Sequence, residues 1–416
     1  MLICAEGRMT QLFIVFIVFL MIPLLSRFKI QLSYILLIAC CILALLSGMG
    51  AEAALQSVKN TFTELSSVNT ILSVMMVSVL GGLMKHYKIL DKIVESIYKI
   101  IRNKKIILMV LPALMGVLIV PGGALLSAPF IDEIGEEMKI PAPRRAAINL
   151  VFRHIAMFIL PFSTGLLVIS AALPEINISK LIFLNLFYVI PTTFVGYFLF
   201  IKDIKYENTQ KVKLSGRNFL TLLLYTSPIY ICVIINSVTG LPFFVALIFS
   251  VLAVYLLCDK KQFFSILIKS VNYHTVLTVA AILIMKELIL NMEELIILFK
   301  SMFNAESSML SILLVFLVSS VFFGIITGNQ TATIAIIVPM ISQLGISTDM
   351  IYIYTYFSFA CSYAGYYFSP IHLCQAFTIQ YMNVTTMELY KEYRLYVIVS
   401  FIVPFVSVYL MKFLFV

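Results

Sequence analysis

Arg153 lies inside an apolar stretch, seven residues past its start at residue 146, or roughly 10 Å along a helix. A cation near the centre of a spanning helix costs at least ~2.5–3.5 kcal/mol, so it needs compensation. Three forms are open. Its long stem reaches the cytoplasmic interface, or it pairs with an acid such as Asp132, or it is a fixed cation for a carboxylate or phosphate ligand. A guanidinium grips such planar oxyanions in a bidentate manner. His154, next along the chain, points about 100° away round a helix, so the two need not share a role. His372 is either a hydrogen-bonded structural histidine or a group that binds a ligand or exchanges a proton near neutral pH. Asp132 either caps a helix in solvent with Glu133 or faces a cavity as a cation or proton site.

Four backbone breaks frame these residues: Pro121-Gly122-Gly123, Thr327-Gly328-Asn329-Gln330-Thr331, Pro161-Phe162-Ser163-Thr164-Gly165 and Ser369-Pro370-Ile371-His372. In hydrocarbon, broken backbone persists only inside protein or beside a water-filled cavity. At such points helix N-termini offer free N–H groups to an anion, and unwound carbonyls and hydroxyls can ligate a small cation. Close helix packing explains any one Gly or Pro as well; four breaks flanked by Ser, Thr and Asn favour a site. The candidate substrate-binding residues are Arg153, Gly122, Gly123, Ser163, Thr164, Asn329, Thr331, Ser369 and His372. Asp132, Thr327, Asn329 and Thr331 are the candidates for ion coupling. No cofactor is expected beyond a coupling sodium ion or proton. Metalloprotease, nucleophile-elbow and Walker signatures are absent, so no enzyme is expected.

The elements that would hold these residues follow from composition. Of 416 residues, 62% are hydrophobic and 12% charged, with a mean hydropathy of +1.05. Soluble domains are about 45–50% apolar, so a soluble enzyme, a nucleic-acid-binding module and a secreted disulfide scaffold are excluded. The expected partners are a lipid bilayer and a small anionic substrate, with no nucleic acid. The net charge of +9 fits cytoplasmic loops lying against anionic lipid. The seven cysteines form no C-x-x-C pair and read as small packing residues.

Ten runs read as full spans: about 12–26, 31–50, 66–84, 146–172, 179–201, 218–235, 242–258, 272–290, 350–381 and 395–416. Two more, 105–135 and 308–342, are interrupted. Only about 12 apolar residues follow each interruption, roughly 18 Å of helix against a hydrocarbon core of about 30 Å. Each therefore reads as a re-entrant hairpin. With both termini outside the cytoplasmic membrane, the internal loops hold 22 Lys and Arg and the external segments 6, with Lys286 among the external ones. That is the asymmetry positive-inside topology requires, and only Arg153 is left within a span. Two full crossings in place of the hairpins would instead put the Lys-rich loop 202–217 outside.

The layout divides into an N-terminal span (1–30), a first repeat (31–201), a linking loop and span (202–241) and a second repeat (242–416). Each repeat runs span, span, hairpin, span, span, with its last-but-one span broken (146–172 and 350–381). The first repeat starts by crossing outward and the second by crossing inward. The loop before the first hairpin is basic and its counterpart acidic, as inverted topology predicts. Inverted repeats with broken helices mark secondary transporters. The expected fold is thus all-α and membrane-integral, with about ten spans and two re-entrant hairpins in two inverted repeats.

The stretches Pro121-Gly-Gly-Ala-Leu-Leu-Ser-Ala-Pro129, Ile131-Asp132-Glu133, Asn149-Leu-Val-Phe-Arg153-His154, Gly324-Ile-Ile-Thr-Gly328 and Tyr363-Ala-Gly-Tyr-Tyr-Phe-Ser-Pro-Ile-His372-Leu-Cys374 resemble an uncharacterised prokaryotic membrane family, domain of unknown function 401. That family looks like a branch of the ion transporter superfamily, beside gluconate permeases, citrate carriers and divalent-anion/sodium symporters. The resemblance implies an elevator-type transport domain and a homodimer. It also implies a Ser-Asn-Thr motif at the hairpin tips, of which only Asn329 and Thr331 are matched here; Gly122-Gly123-Ala124 departs from it. The function expected is ion-coupled transport of a small, carboxylate-type anion by alternating access. The alternatives are a passive anion channel and an intramembrane enzyme using Ser163 or His372.

Overall fold

The computed structural model describes residues 3–26, 28, 30–101, 103–116, 124–205, 216–302 and 308–415, and every regular element among them is an α-helix. The first group is α1 (Ile3–Ser26), α2 (Leu32–Leu46), α3 (Gly50–Thr63), α4 (Leu65–His86), α5 (Ile89–Ile100), α6 (Lys104–Gly116) and α7 (Ala124–Glu137). Then follow α8 (Ala142–His154), α9 (Ala156–Ile159), α10 (Thr164–Ala172), α11 (Ile178–Phe200), α12 (Gly216–Thr239), α13 (Phe243–Leu257) and α14 (Phe263–Lys269). The last are α15 (Tyr273–Leu290), α16 (Glu293–Met302), α17 (Met309–Thr327), α18 (Gln330–Ser342), α19 (Thr348–Tyr367), α20 (Leu373–Tyr381) and α21 (Thr386–Phe415).

Among the described residues, seven segments are long and apolar enough to cross a membrane: α4, the stretch 142–172, α11, α12, α15, α17 and α21. An α-helix satisfies its own backbone polar groups, which is what a lipid environment demands. Their outward sides stay apolar: Phe219, Leu220 and Val238 on α12 and Ile398, Ile402 and Val406 on α21 are exposed. The helix α19 is not among the seven, because its six tyrosines lower its hydropathy. It is instead almost wholly buried, packed by α11, α17, α18 and α21. The basic stretch before α6 carries a helix, α5. It buries Ile89, Ile93, Val94 and Ile97 and exposes Lys92, Glu95 and Lys99, a one-sided spacing of an amphipathic surface helix.

Two helices are interrupted. Between α9 and α10 the chain leaves helical geometry at Leu160–Ser163, and Leu160 is extended (φ −89°, ψ 117°). Pro161 explains this, since a proline pushes its predecessor out of the α region and lacks an N–H. Between α19 and α20 the break covers Phe368–His372 and contains Pro370. A third discontinuity separates α17 from α18. Gly328 is left-handed there (φ +56°), and a Cβ on it would lie 2.7 Å from the Ile371 side chain. Asn329 then caps α18 by accepting from the Ala332 N–H at 3.2 Å. The 13 residues of α18 amount to about 20 Å, too short to cross hydrocarbon, whereas the 19 of α17 reach about 28 Å. Gly122 and Gly123 lie outside the described residues.

Glycines set two close crossings. A Cβ on Gly116 of α6 would lie 1.9 Å from the Arg153 carbonyl oxygen of α8. One on Gly324 of α17 would lie 2.8 Å from the Ser362 carbonyl oxygen of α19, and one on Gly365 would lie 2.6 Å from the Val321 carbonyl oxygen. Elsewhere the packing is exchanged between the halves of the chain. The helix α2 packs on α15 while α13 packs on α4, and α10 packs on α18 while α20 packs on α7. Lys286, counted above with the external segments, is buried within α15. It sits 2.8 Å from Glu287, 3.3 Å from Glu64 and 3.5 Å from the Ala171 carbonyl.

Candidate functional site

Polar chemistry gathers where the end of α8 meets the second helix break. Arg153 is 5% exposed, His154 2% and His372 1%, so all three are inside protein. The Arg153 guanidinium lies beside the side chains of Cys374 and Tyr366. The Gly116 crossing brings α6 against the Arg153 backbone, which holds this turn of α8 in place. The His154 and His372 rings are 5.0 Å apart, centroid to centroid, and the Tyr366 ring is 4.2 Å from His372. Tyr363 and Tyr367 close the same pocket around His154, at 6.2 and 5.3 Å.

Both imidazoles are oriented by backbone. His154 Nδ1 lies 2.7 Å from the Leu150 carbonyl and His372 Nδ1 lies 3.1 Å from the Tyr367 carbonyl. A carbonyl only accepts, so each Nδ1 carries the proton and each Nε2 keeps a lone pair. One ring nitrogen of each histidine and Cys374 Sγ lie within 4.8 Å of one another.

The second break joins the hairpin-like turn between α17 and α18. Ser369 Oγ donates to the Ile325 carbonyl at 2.7 Å and accepts from the Ile371 N–H at 3.3 Å. Thr327 and Asn329 close the turn on themselves: Thr327 Oγ1 donates to the Phe323 carbonyl at 2.7 Å and accepts from the Asn329 N–H at 3.2 Å. Thr331 is buried one turn further on. From α21, the Tyr390 hydroxyl donates to the Phe368 carbonyl at 2.8 Å.

The first break is plainer. Ser163 Oγ donates to the Met157 carbonyl at 2.9 Å, and Thr164 opens α10 half-buried. A Cβ on Gly165 would meet Ile334 of α18 at 3.1 Å and Phe359 of α19 at 3.0 Å, so this break lies against the other half of the chain. Asp132 is on α7, ion-paired with Arg145 at 3.0 Å, while Arg153 has Cys374 and Tyr366 as neighbours.

Three participants carry no site role in the sequence reading: His154, Cys374 and Asn149. The first two share the pocket of Arg153 and His372. Asn149, fully buried on α8, accepts from Ser127 Oγ at 2.6 Å. It donates to the Ala124 carbonyl at 3.3 Å and to Thr378 Oγ1 at 3.1 Å. It thereby ties the start of α7 to α8 and α20. An amide within the apolar stretch 146–172, and the His-x-Cys spacing at a helix start, are the signals for these residues.

A family described as "Protein of unknown function (DUF401)" matches residues 6–411. The chain belongs to that family. No curated protein matches it. Membership covers nearly the whole chain, so the helices and the pocket just described are features of a DUF401 protein and not of an appended domain.

Proposed function

We propose that this DUF401 protein is a secondary active transporter of a small organic anion of the carboxylate type, ion-coupled and working by alternating access across the cytoplasmic membrane. The carrying observation is a guanidinium buried at the end of α8 beside a helix interruption, with Tyr366, His372 and Cys374 around it. Arg153 supplies the fixed cation for the anion, and Ser163, Thr164, Asn329, Thr331, Ser369 and His372 orient it. The backbone at Gly122 and Gly123 contributes from the first tip. Asp132, Thr327, Asn329 and Thr331 serve the coupling sodium ion or proton.

The architecture proposed with this function is ten spans and two re-entrant hairpins in inverted repeats, with both termini outside, assembled as a homodimer. The exchanged packing supports the repeat, because α10 on α18 and α20 on α7 are the same contact with the halves swapped. So do the glycine crossings. Gly116 and Gly324 stand 208 residues apart, and the carbonyls they approach, of Arg153 and Ser362, stand 209 apart. A first limb that packs by glycine on the helix after its own hairpin occurs in each half. The length of α17 is compatible with a hairpin limb that starts at one surface and turns at Gly328.

Purified protein in liposomes tests the function. An imposed sodium or proton gradient should drive accumulation of a carboxylate against its own gradient. Flux that only runs downhill would support the anion-channel reading, and product formation without transport would support an enzyme. For topology, single cysteines at 99, 211 and 304, with interfering native cysteines removed, are probed in intact cells by an impermeant thiol reagent; positions 211 and 304 lie outside the described residues. Label at 304 alone is expected. Label at 211 with none at 304 would sink the hairpin arrangement.

A further inference from the structure

The geometry points to a transition-metal site of zinc type formed by His154, His372 and Cys374, independent of whether the chain transports an anion. Ligand atoms from the three side chains lie within 4.8 Å of one another. Both histidines spend Nδ1–H on a backbone carbonyl, which leaves Nε2 as the ligand atom. That is how metal-binding histidines are commonly fixed in tautomer and direction. His372 Nε2 is buried and has no hydrogen-bond partner, and a buried polar atom left unmade costs about 1–3 kcal/mol. A metal ion is an occupant that uses this lone pair together with a sulfur.

The donor set selects the ion. Two imidazole nitrogens and a thiolate suit zinc or its neighbours, whereas sodium, magnesium and calcium take oxygen ligands. Zinc–nitrogen bonds of about 2.0–2.1 Å and a zinc–sulfur bond of about 2.3 Å place tetrahedral ligand atoms about 3.3–3.7 Å apart. Closure from the observed spread is therefore of the order of 1 Å. His372 at the N-cap of α20 and Cys374 in its first turn can supply that by side-chain rotation. Binding replaces the thiol proton: Cys–SH and Zn²⁺ give Cys–S–Zn⁺ and H⁺, and the proton leaves to solvent. Three protein ligands leave the fourth position open, next to Arg153. With zinc, one thiolate and one guanidinium, the pocket carries a net charge of +2, so the fourth ligand is an anion: hydroxide, halide or carboxylate.

The test uses the full chain, purified in detergent and stripped with a chelator. Cobalt(II) serves as the optical probe and zinc is titrated against a chromophoric chelator. One ion per chain is expected, with a near-ultraviolet thiolate-to-cobalt charge-transfer band. Cys374→Ser should abolish the band. His154→Ala, His372→Ala and Cys374→Ser should each weaken zinc binding at least ~tenfold, and Cys361→Ser, at a buried cysteine earlier on α19, should change neither. Metal-free melting temperatures identify any variant that fails to fold, and the wild-type spectrum decides alone in that case. Cobalt bound without the charge-transfer band, or zinc binding undiminished in Cys374→Ser, would overturn the site. Neither result bears on carboxylate flux, which the liposome assay measures in chelator.

Discussion

The two helix breaks share a design and differ in content. The first follows α8 and the short α9 and the second follows α19, and each contains a proline and leads into a nine-residue helix that packs on the opposite half of the chain. At the first break the polar atoms are spent locally, Ser163 on the Met157 carbonyl, and the neighbours are Phe158, Ile334 and Phe359. At the second break Ser369 reaches across to α17, two tyrosines come in from α21, and His372 and Cys374 face Arg153 and His154. Proline chemistry builds the interruption in both places, but only at the second do imidazole and thiol side chains gather beside the buried guanidinium. A proline break therefore does not by itself gather a polar pocket. The first half contributes the charge from the end of α8, and the second half contributes the break it faces.

The largest way to disturb this comparison is to fill the glycine crossings. Gly116→Ala puts a methyl 1.9 Å from the Arg153 carbonyl oxygen, while Gly324→Ala puts one 2.8 Å from backbone atoms of Ser362 and Tyr366. Backbone cannot rotate aside as a side chain can, and overpacking of this kind costs about 1–3 kcal/mol or more. Gly116→Ala is expected to lose folded yield or to show the larger drop in melting temperature in detergent, Gly324→Ala a smaller one. Equal and negligible shifts would mean that α6 does not hold Arg153 in place.

Next comes the charge itself. Arg153→Lys keeps the charge but gives up the planar fork that binds a carboxylate through two bonds. A lost hydrogen bond to a charged group is worth about 1.5–3 kcal/mol, so carboxylate flux should fall by about ten- to a hundredfold with the melting temperature near wild type. Arg153→Lys that transports normally while staying folded would remove the guanidinium from the site.

How much of this was legible depends on how local the cause is. The interruptions at Pro161 and Pro370 and the turn at Gly328 follow from the restricted or permissive backbone of single residues, so the sequence places them well. The apolar runs declare the helices for the same reason. Partnerships do not work that way. Arg145 as the partner of Asp132, and Glu64 and Glu287 as the partners of Lys286, depend on which helices lie side by side. Cys374 looks like a packing residue until α20 is set against α8. His154 was separated from Arg153 by its 100° on the helix, yet the second break wraps far enough round α8 to meet both.

A smaller effect separates the serines of the two breaks. Ser369 supports a carbonyl of α17 and an amide of its own loop, whereas Ser163 makes one bond within its turn. Ser369→Ala should therefore cost more than Ser163→Ala, because it removes two hydrogen bonds of about 1 kcal/mol each where Ser163→Ala removes one. Thermal unfolding of the two variants side by side measures the order. A reversed order would place the polar strain at the first break and undo the contrast drawn above.

The smallest expected effect lies at the starts of α11 and α21, the helices that follow the two nine-residue helices. Asn177 caps α11 with one bond, accepting from the Lys180 N–H at 3.1 Å. Before α21, Thr385 and Glu388 cap each other. Glu388 accepts from the Thr385 N–H at 2.8 Å, and Thr385 Oγ1 accepts from the Glu388 N–H at 3.3 Å. This reciprocal box satisfies two orphan donors of the helix start where the asparagine satisfies one. All three residues are exposed, so water replaces much of what a substitution removes. Asn177→Ala and Thr385→Ala should each cost about 0.5–1 kcal/mol, with Thr385→Ala the larger because its hydroxyl both accepts from the Glu388 N–H and donates to the Glu388 carboxylate. Hydrogen exchange at the first turn of each helix resolves differences of that size better than global melting does. Faster exchange at the start of α21 in Thr385→Ala, with α20 unchanged, is the expected pattern. If α20 loosens as well, the cap is part of what holds the second break closed, and the chemistry there rests on a longer stretch of chain than the pocket itself.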